Sequence, residues 1–263
     1  MSSSFRYIIL GCGGSDGVPQ IGCKCDTCTS TDPRNKRTRA SIMIVSPQIN
    51  LLVDTSPDLR WQALQNNITA IDGVLYTHAH FDHIAGINDV KCLSRTRAPI
   101  PVFADNDTAQ SLLHTFGYMF EKNKTLYRAL MHLNIFDGPF CIKDVTITPF
   151  PQQHVTCTSY GFRFGNLAYS TDVCEFTEVA YKILDGVDIW IIDCMRYCHA
   201  PTHCNFEKTL QLVAKVKPKL AILTHMAHDI QYSEISKLLP PNIIPGYDGM
   251  EICYKPQLVY DTK

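Results

Sequence analysis

No stretch of apolar residues in this chain of 263 residues is long enough to cross a bilayer. The sequence also carries no excess charge, since 24 lysines and arginines face 25 aspartates and glutamates. An extended nucleic-acid surface needs many unpaired basic side chains, so we expect none here, and we expect no membrane partner. These absences favour an ordinary soluble globular protein with a sizeable core.

Two easily recognised catalytic loops are missing as well. Residues 11–17 are rich in glycine, but no Gly-Lys-Ser/Thr sequence follows them, which excludes a P-loop. The serine elbow Gly-x-Ser-x-Gly is also absent. We interpret residues 11–17 as a tight turn close to a site whose chemistry must come from other residues.

Twelve cysteines are many for a chain with no evident secretion signal. Met1 to Arg6 have no strongly basic start, and Tyr7 to Leu10 are too short an apolar run for a signal peptide. We therefore expect reduced thiols and a cytoplasmic location. Cys23, Cys25 and Cys28 are spaced closely enough to share one metal ion. The other cysteines are interpreted as small apolar core residues.

The densest chemistry of the sequence lies between His78 and His83. This segment holds the imidazoles of His78, His80 and His83 and the carboxylate of Asp82. It follows an apolar run, 71–76, that predicts a buried strand. Protonated histidines so close together repel one another, and neutral ones compete for partners. A divalent cation resolves both problems because it accepts nitrogen and oxygen lone pairs together. The segment therefore predicts a metal site, the alternative being a polar loop with scattered histidines.

Further candidate residues follow strand-like runs or lie in loops: His154, Asp172, His203 and His225. Loops at the ends of buried strands are where active sites are usually assembled. We predict two sets of ligands for two divalent ions, bridged by the two oxygens of Asp172. Zinc, manganese and iron all suit such a mixture, so the identity of the metal stays open. The first set is His78, His80 and His154, and the second set is Asp82, His83 and His225.

Strand-like runs alternate with helical patterns, and no repeat or linker interrupts them. We predict a single domain over residues 1–263 with an α/β (α+β) fold, in which helices cover mixed sheets. One helix is predicted to have Ser56 as its N-cap and Pro57 in its first turn. Another is predicted to run from about His83 to Leu93.

The two ligand sets resemble, in order and spacing, the site of the metallo-β-lactamase fold hydrolases. This resemblance implies an αββα four-layer sandwich with a dinuclear metal site at one edge. It also implies that Asp54, in the segment before the cluster, is an acceptor that orients a metal-binding histidine.

Within this family the chain is similar to the phosphoribosyl 1,2-cyclic phosphate phosphodiesterases of the carbon–phosphorus lyase pathway. The resemblance implies that His203 is a general acid, and we predict His203 and Asp82 as the catalytic residues. Residues 106–140 depart from the pattern of that branch, which leaves the natural substrate open. The resemblance also implies a structural zinc site made of Cys23, Cys25, Cys28 and His228.

The leading hypothesis is metal-dependent hydrolysis of a small or cyclic phosphodiester by a hydroxide held between two cations. The alternatives are thioester or lactone hydrolysis, tRNA 3′ processing, for which we find no long basic arm, and a zinc-stabilised binding module without activity. The short basic run that contains Arg37 and Arg39 is interpreted as a solvated surface. The alternative is that Arg37 or Arg39 binds a substrate phosphate, since a guanidinium matches its oxygens. A homodimer is one option for the assembly.

Overall fold

The computed structural model describes residues 5–94, 98–121, 129–155 and 157–254. Its strands, in chain order, are β1 (Phe5–Gly11), β2 (Ser41–Val45), β3 (Asn50–Val53), β4 (Gly73–Leu75), β5 (Ile100–Ala104), β6 (Met131–Ile135), β7 (Phe140–Ile142), β8 (Val145–His154), β9 (Cys157–Phe164), β10 (Leu167–Ser170), β11 (Glu175–Phe176), β12 (Ile189–Asp193), β13 (Leu220–Thr224), β14 (Ile243–Pro245) and β15 (Met250–Tyr254). Its α-helices are α1 (Asp26–Thr29), α2 (Leu59–Gln65), α3 (Phe81–Ile84), α4 (Asn106–Phe120), α5 (Glu178–Leu184), α6 (Phe206–Val216) and α7 (Tyr232–Leu238).

The strands form two mixed sheets. The first sheet has the order β15-β1-β2-β3-β4-β5-β6, and the second has the order β11-β8-β9-β10-β12-β13-β14, with β7 paired to β8. Helices lie on the outer faces, so the αββα sandwich expected from the sequence is confirmed.

Parallel pairing brings several strand ends to the same edge. In the second sheet β10, β12 and β13 are parallel neighbours, and Ser170 lies opposite Ile192 while Asp193 lies opposite Thr224. In the first sheet β3, β4 and β5 are parallel. Because the carboxyl ends of parallel strands meet at one edge, the segments that follow them are assembled there.

The main core fills the space between the sheets and continues under α5 and α6. It joins Ile42 and Leu51 of the first sheet to Phe150 and Trp190 of the second. A second core packs the outer face of the first sheet against α2 and α4. All five residues of β12 are buried, as expected of a strand covered on both faces.

Two predicted helix boundaries are wrong. Helix α2 begins at Leu59, and its N-cap is Asp58; Ser56 instead accepts a hydrogen bond from the Asp58 amide in the turn before it. The helix predicted from His83 to Leu93 is the short α3 followed by a 3₁₀ segment, Ala85–Leu93. Gly86 explains the tight path, because a Cβ there would meet the Ser56 carbonyl oxygen at 1.9 Å.

Every helix in the described ranges is too short or too polar to serve as a membrane span. The segment 106–140 contains α4, β6 and the start of β7, and its residues 122–128 lie outside the described part of the chain. The prediction of one domain over residues 1–263 includes further residues outside the described part of the chain, and it stays a prediction.

Candidate active site

The first predicted set of ligands comes together at the edge of the sandwich. Single ligand atoms of His78, His80, His154 and Asp172 all lie within 4.8 Å of one another. His78 and His80 follow β4, His154 ends β8, and Asp172 follows β10. Both sheets therefore contribute to this group, which explains why residues 94 positions apart in the chain meet.

The second predicted set lies beside the first. Ligand atoms of Asp82, His83, Asp172 and His225 also lie within 4.8 Å of one another. Asp82 and His83 belong to α3, where neighbouring positions in a single helical turn can both face the site. His225 directly follows β13.

Asp172 belongs to both groups, and its two oxygens face different histidines. Its Oδ1 lies 3.8 Å from Nε2 of His78 and 3.7 Å from Nε2 of His154. Its Oδ2 lies 3.1 Å from Nε2 of His83 and 3.4 Å from Nε2 of His225. This division is the one that a bridging carboxylate would need.

Several histidine nitrogens at the centre make no hydrogen bond within the described part of the chain. The buried Nε2 atoms of His78, His83 and His225 are all in this position. An unpaired buried polar atom is costly, so three that converge on two carboxylates indicate a cation between them. The donor set of imidazoles and carboxylates thus fits divalent metal ions.

Without metal, the charges at the centre perturb one another strongly. Burial raises the pKa of Asp172, but the charges of His225 and His83 outweigh it and hold that pKa well below its usual value. Burial lowers the pKa of His225, but Asp172, Asp82 and Asp193 outweigh it and raise that pKa to about 9. His78 behaves differently, because burial and the neighbouring His83 charge keep its pKa well below its usual value.

A second layer of acceptors orients the histidines. Asp54, predicted for this role, accepts hydrogen bonds from Nδ1 of His83 at 2.7 Å and from the amide and hydroxyl of Thr77 at 2.9 and 2.8 Å. Nδ1 of His154 donates to the Thr202 carbonyl at 2.7 Å. Because a carbonyl only accepts, Nδ1 of His154 holds the proton and its Nε2 lone pair faces the centre.

His203 lies against both ligand groups. Its ring stacks on that of His225 with centroids 4.7 Å apart and meets the His154 ring edge-on at 4.7 Å. Its Nε2 lies 3.9 Å from Oδ1 of Asp172, and its Nδ1 donates to Oδ2 of Asp193 at 2.8 Å.

Asp193 is the functional residue that the sequence argument missed. It is fully buried, ends β12 and also accepts a hydrogen bond from the Val173 amide. Asp193 could have been found from the sequence, since it ends the apolar run Ile189–Asp193. Asp172 and His225 were predicted as site residues because they too lie at the ends of strand-like runs.

Three of these residues have left-handed backbones. The φ angles of Asp54, Asp172 and His225 are 62°, 53° and 57°. Non-glycine residues rarely adopt this region, and each such residue costs roughly 1–3 kcal/mol. Such outliers cluster at functional sites, which supports a common function for the three strand ends.

The cysteine-rich loop forms a separate group with His228. Ligand atoms of Cys23, Cys25, Cys28 and His228 lie within 4.8 Å of one another. Nδ1 of His228 lies 3.4 Å from Sγ of Cys23 and 3.5 Å from Sγ of Cys25. The His228 hydrogen bond lowers the pKa of Cys25 to about 6, whereas burial raises the pKa of Cys28 to about 11.

Two interpretations of basic and sulfur residues need correction. Arg37 is buried and donates to the carbonyls of Ala227 and Ile230 at 2.9 and 2.8 Å, so it is not available to a substrate phosphate. Arg39 pairs with Asp58 at 3.0 Å but its side chain is part exposed, so a phosphate contact by Arg39 stays a prediction. Four of the cysteines interpreted as core residues are exposed: Cys92 in the 3₁₀ segment, Cys141 and Cys253 in strands, and Cys198 in a loop.

The sequence matches a known family over most of its length. The model of the beta-lactamase superfamily domain matches residues 49–226, and the chain belongs to this superfamily. Its fold and its His/Asp clusters indicate a metal-dependent hydrolase that binds divalent cations.

Individual relatives differ in what they are named for. The crystal structure of a new diphosphatase from the PhnP family superposes with a TM-score of 0.90 and 34% identity, covering 96% of this chain and 98% of that one. Zn²⁺-bound PqqB from Methylobacterium extorquens superposes with a TM-score of 0.72 over 94% of this chain and 99% of that one, but at 19% identity it supports the fold alone.

An octanoyltransferase from Porphyromonas gingivalis is 34% identical over 251 residues, which are 94% of this chain. Those residues are 51% of the relative, so the chain spans about half the length of that protein. The activity in its name belongs to the whole relative.

Proposed function

We propose that this protein hydrolyses small or cyclic phosphodiesters with the help of two divalent metal ions. The similarity to a PhnP-family diphosphatase over nearly the whole chain supports phosphorus as the reacting centre. The observation that carries the proposal is the position of His203, whose Nε2 faces the shared carboxylate of Asp172 while Asp193 holds its Nδ1.

The proposed ligands of one ion are His78, His80, His154 and Asp172, and those of the other are Asp82, His83, Asp172 and His225. When bound, the ions supply Lewis acidity, which stabilises negative charge on phosphate oxygens and makes water acidic. Asp82 is proposed as a ligand with a catalytic role, because the charge of His83 outweighs burial and keeps its pKa low, so it stays a carboxylate.

The chain's own contribution to the reaction centres on one proton. A water oxygen attacks phosphorus and releases one proton to solvent, the bond from phosphorus to the leaving oxygen breaks, and that oxygen needs a proton because an alkoxide is a poor leaving group. Nε2 of His203 supplies the proton, and Asp193, which accepts from Nδ1, stabilises the imidazolium beforehand and fixes its orientation.

The four residues of the cysteine-rich group are proposed to hold a structural zinc ion. Three thiolates and one imidazole are a common ligand set for zinc in closed structural sites. None of its ligand atoms belongs to the two active-site groups, so its proposed role is stability and not chemistry.

The experiment compares leaving groups on the metal-loaded protein. Bis(p-nitrophenyl) phosphate and a dialkyl phosphodiester are assayed beside a lactone and a thioester, with metal content measured on the same preparation. His203→Ala should lower kcat on the dialkyl ester by about 10²–10⁴-fold and affect the p-nitrophenyl ester much less, because p-nitrophenolate leaves without a proton.

Asp193→Asn should also lower kcat on the dialkyl ester, by a smaller factor than His203→Ala, and should retain both metal ions. Hydrolysis of the lactone or thioester but of neither phosphodiester would overturn the proposal in favour of acyl chemistry. A cytoplasmic location and a homodimer stay predictions from the sequence.

A further inference from the structure

Three buried side chains with metal-binding atoms form a group beside the two proposed active-site ions. One ligand atom each of Asp193, His203 and His225 lies within 4.8 Å of the other two. We propose that this group is an inhibitory site for an additional Zn²⁺ ion, which binds when zinc is in excess and removes His203 from the reaction. The inference rests on the proposed function, in which His203 supplies the proton.

The second sheet holds this group in place. Asp193 ends β12 and His225 follows β13, and these strands are paired in parallel with Asp193 opposite Thr224. The amide of Cys194 donates to the Thr224 carbonyl at 2.9 Å, so the pairing continues past the strand ends. His203 stacks on His225 with an angle of 12° between the ring planes. The three side chains are therefore positioned by packing before any ion binds.

Two members of the group carry buried polar atoms that make no hydrogen bond within the described ranges. These atoms are Oδ1 of Asp193 and both ring nitrogens of His225. The second active-site ion accounts for one nitrogen of His225, but neither active-site ion accounts for the other nitrogen or for Oδ1 of Asp193. Because unpaired polar atoms are costly when buried, a cation that accepts their lone pairs is favoured here.

The donor set and its spacing fit zinc. Zinc binds imidazole nitrogen at roughly 2.0–2.1 Å and carboxylate oxygen at roughly 2.0–2.2 Å, so two ligand atoms of one ion lie at most about 4.3 Å apart. A group whose atoms lie within 4.8 Å needs only small side-chain movements to close around such an ion. Two imidazoles and one carboxylate suit zinc, whereas Mg²⁺ prefers oxygen ligands.

Charge explains why this ion should bind after the others. Oδ2 of Asp82 lies 3.7 Å from Nε2 of His225, and Oδ1 of Asp172 lies 3.9 Å from Nε2 of His203. In the loaded protein both carboxylates serve the two active-site ions, so a further cation meets repulsion that the carboxylate of Asp193 only partly offsets. The additional ion also takes His225 from the second active-site ion, which keeps its three other ligands. It therefore needs a higher concentration of free zinc.

Binding at this site inhibits because the ion occupies the proton donor. Nδ1 of His203 donates to Oδ2 of Asp193 at 2.8 Å, and this hydrogen bond orients the ring for proton transfer. An ion held by His203 and Asp193 replaces that hydrogen bond, and a nitrogen bound to zinc carries no proton. The leaving alkoxide then departs without a proton, so esters with poor leaving groups react slowly.

The first test counts bound zinc, because this measurement needs no turnover. The full chain is equilibrated in buffers of rising free Zn²⁺, and bound zinc is measured by native mass spectrometry. Wild type should bind one equivalent beyond those of the active site and the cysteine-rich group. His203→Ala and Asp193→Asn should each lose this last equivalent and keep the others. His199→Ala is the matched control, since His199 is exposed and outside these groups, and it should bind as wild type does.

The second test follows inhibition. As the last equivalent binds to wild type, kcat on the dialkyl phosphodiester should fall by about 10²–10⁴-fold, the contribution of a general acid. The same concentration of Mg²⁺ should not inhibit. A last equivalent that persists in both His203→Ala and Asp193→Asn, or that binds to wild type without inhibition, would overturn the site.

These outcomes separate the inhibitory site from the proposed function. Wild-type protein that hydrolyses phosphodiesters but binds no zinc beyond the active-site and cysteine-rich groups would overturn the inhibitory site and leave the function intact. Wild-type protein that hydrolyses no phosphodiester at any zinc concentration would overturn the function, and the inhibitory role with it.

Discussion

At the scale of single residues, the site is organised by acceptors that determine which nitrogen holds the proton in three of its histidines. Asp54 does this for His83, Asp193 for His203, and the Thr202 carbonyl for His154. With Nδ1 protonated, the Nε2 lone pairs of His83 and His154 face the centre, where a metal would need them. The same arrangement gives His203 the opposite task, because its Nε2 faces the centre as a donor once the ring is protonated.

Asp54→Asn should weaken the second ligand group selectively. An asparagine that accepts from the Thr77 amide presents its NH₂ group to His83, which forces the proton of His83 onto Nε2 and removes the inward lone pair. We expect roughly 10–100-fold lower affinity for one of two metal ions, measured by chelator competition with metal analysis. Asp144→Asn, at an exposed position, is the control, and unchanged affinity in Asp54→Asn would contradict the role of Asp54.

At the scale of elements, one segment connects the two proposed metal sites. The residues after β13 carry His225 of the active site and, three positions later, His228 of the cysteine-rich group. Arg37 holds the same segment by donating to Ala227 and Ile230. The cysteine-rich loop therefore anchors a segment whose position also determines that of His225.

Cys25→Ser should remove one equivalent of zinc and lower Tm by roughly 5–10 °C, the shift expected for the loss of a few kcal/mol. Activity at low temperature should change little, because the hydrogen bonds from Arg37 to the carbonyls of Ala227 and Ile230 still hold the segment that carries His225. Metal analysis, thermal unfolding and a phosphodiesterase assay on one preparation provide the measurements. Cys141→Ser is the control, and a variant with full zinc content and unchanged Tm would refute the proposed site.

At the scale of the whole molecule, a buried carboxylate joins distant parts of the chain. Asp248, in the turn before β15, accepts hydrogen bonds from the amide and hydroxyl of Thr38 at 2.7 and 2.6 Å and from the amide of Cys12 at 3.1 Å. Burial raises the pKa of Asp248 to about 6 despite these hydrogen bonds. The ionised form is therefore tolerated at neutral pH at some cost in stability.

This raised pKa predicts how stability depends on pH. Between the unfolded value near 3.8 and the folded value of about 6, the folded state binds more protons than the unfolded state, so the Asp248 contribution to the free energy of unfolding falls as pH rises. The loss amounts to at most about 3 kcal/mol. The free energy of unfolding in urea is measured for wild type and for Asp248→Asn. The wild-type value minus the variant value should fall from pH 4.5 to pH 7, and a constant or rising value would contradict the raised pKa.

The sequence by itself determined the class of fold, and together with the family resemblance it predicted the residues of the candidate metal groups. Local spacing was sufficient for His78 to His83 and for the cysteine-rich loop, because their ligands lie within one turn or loop. Strands such as β12 and β13 were also predictable, since buried parallel strands are continuous apolar runs.

Only the tertiary structure decided which distant residues meet and what each one contacts. Asp172 can bridge the two groups because parallel pairing places the ends of β10 and β13 at the same edge. The packing of segments far apart in the chain places Nδ1 of His203 against Asp193. The same packing buries Arg37, which donates to the carbonyl of Ala227. Local spacing reports the chemical type of a side chain, whereas its partner and its burial are set by the sheets that bring those segments together.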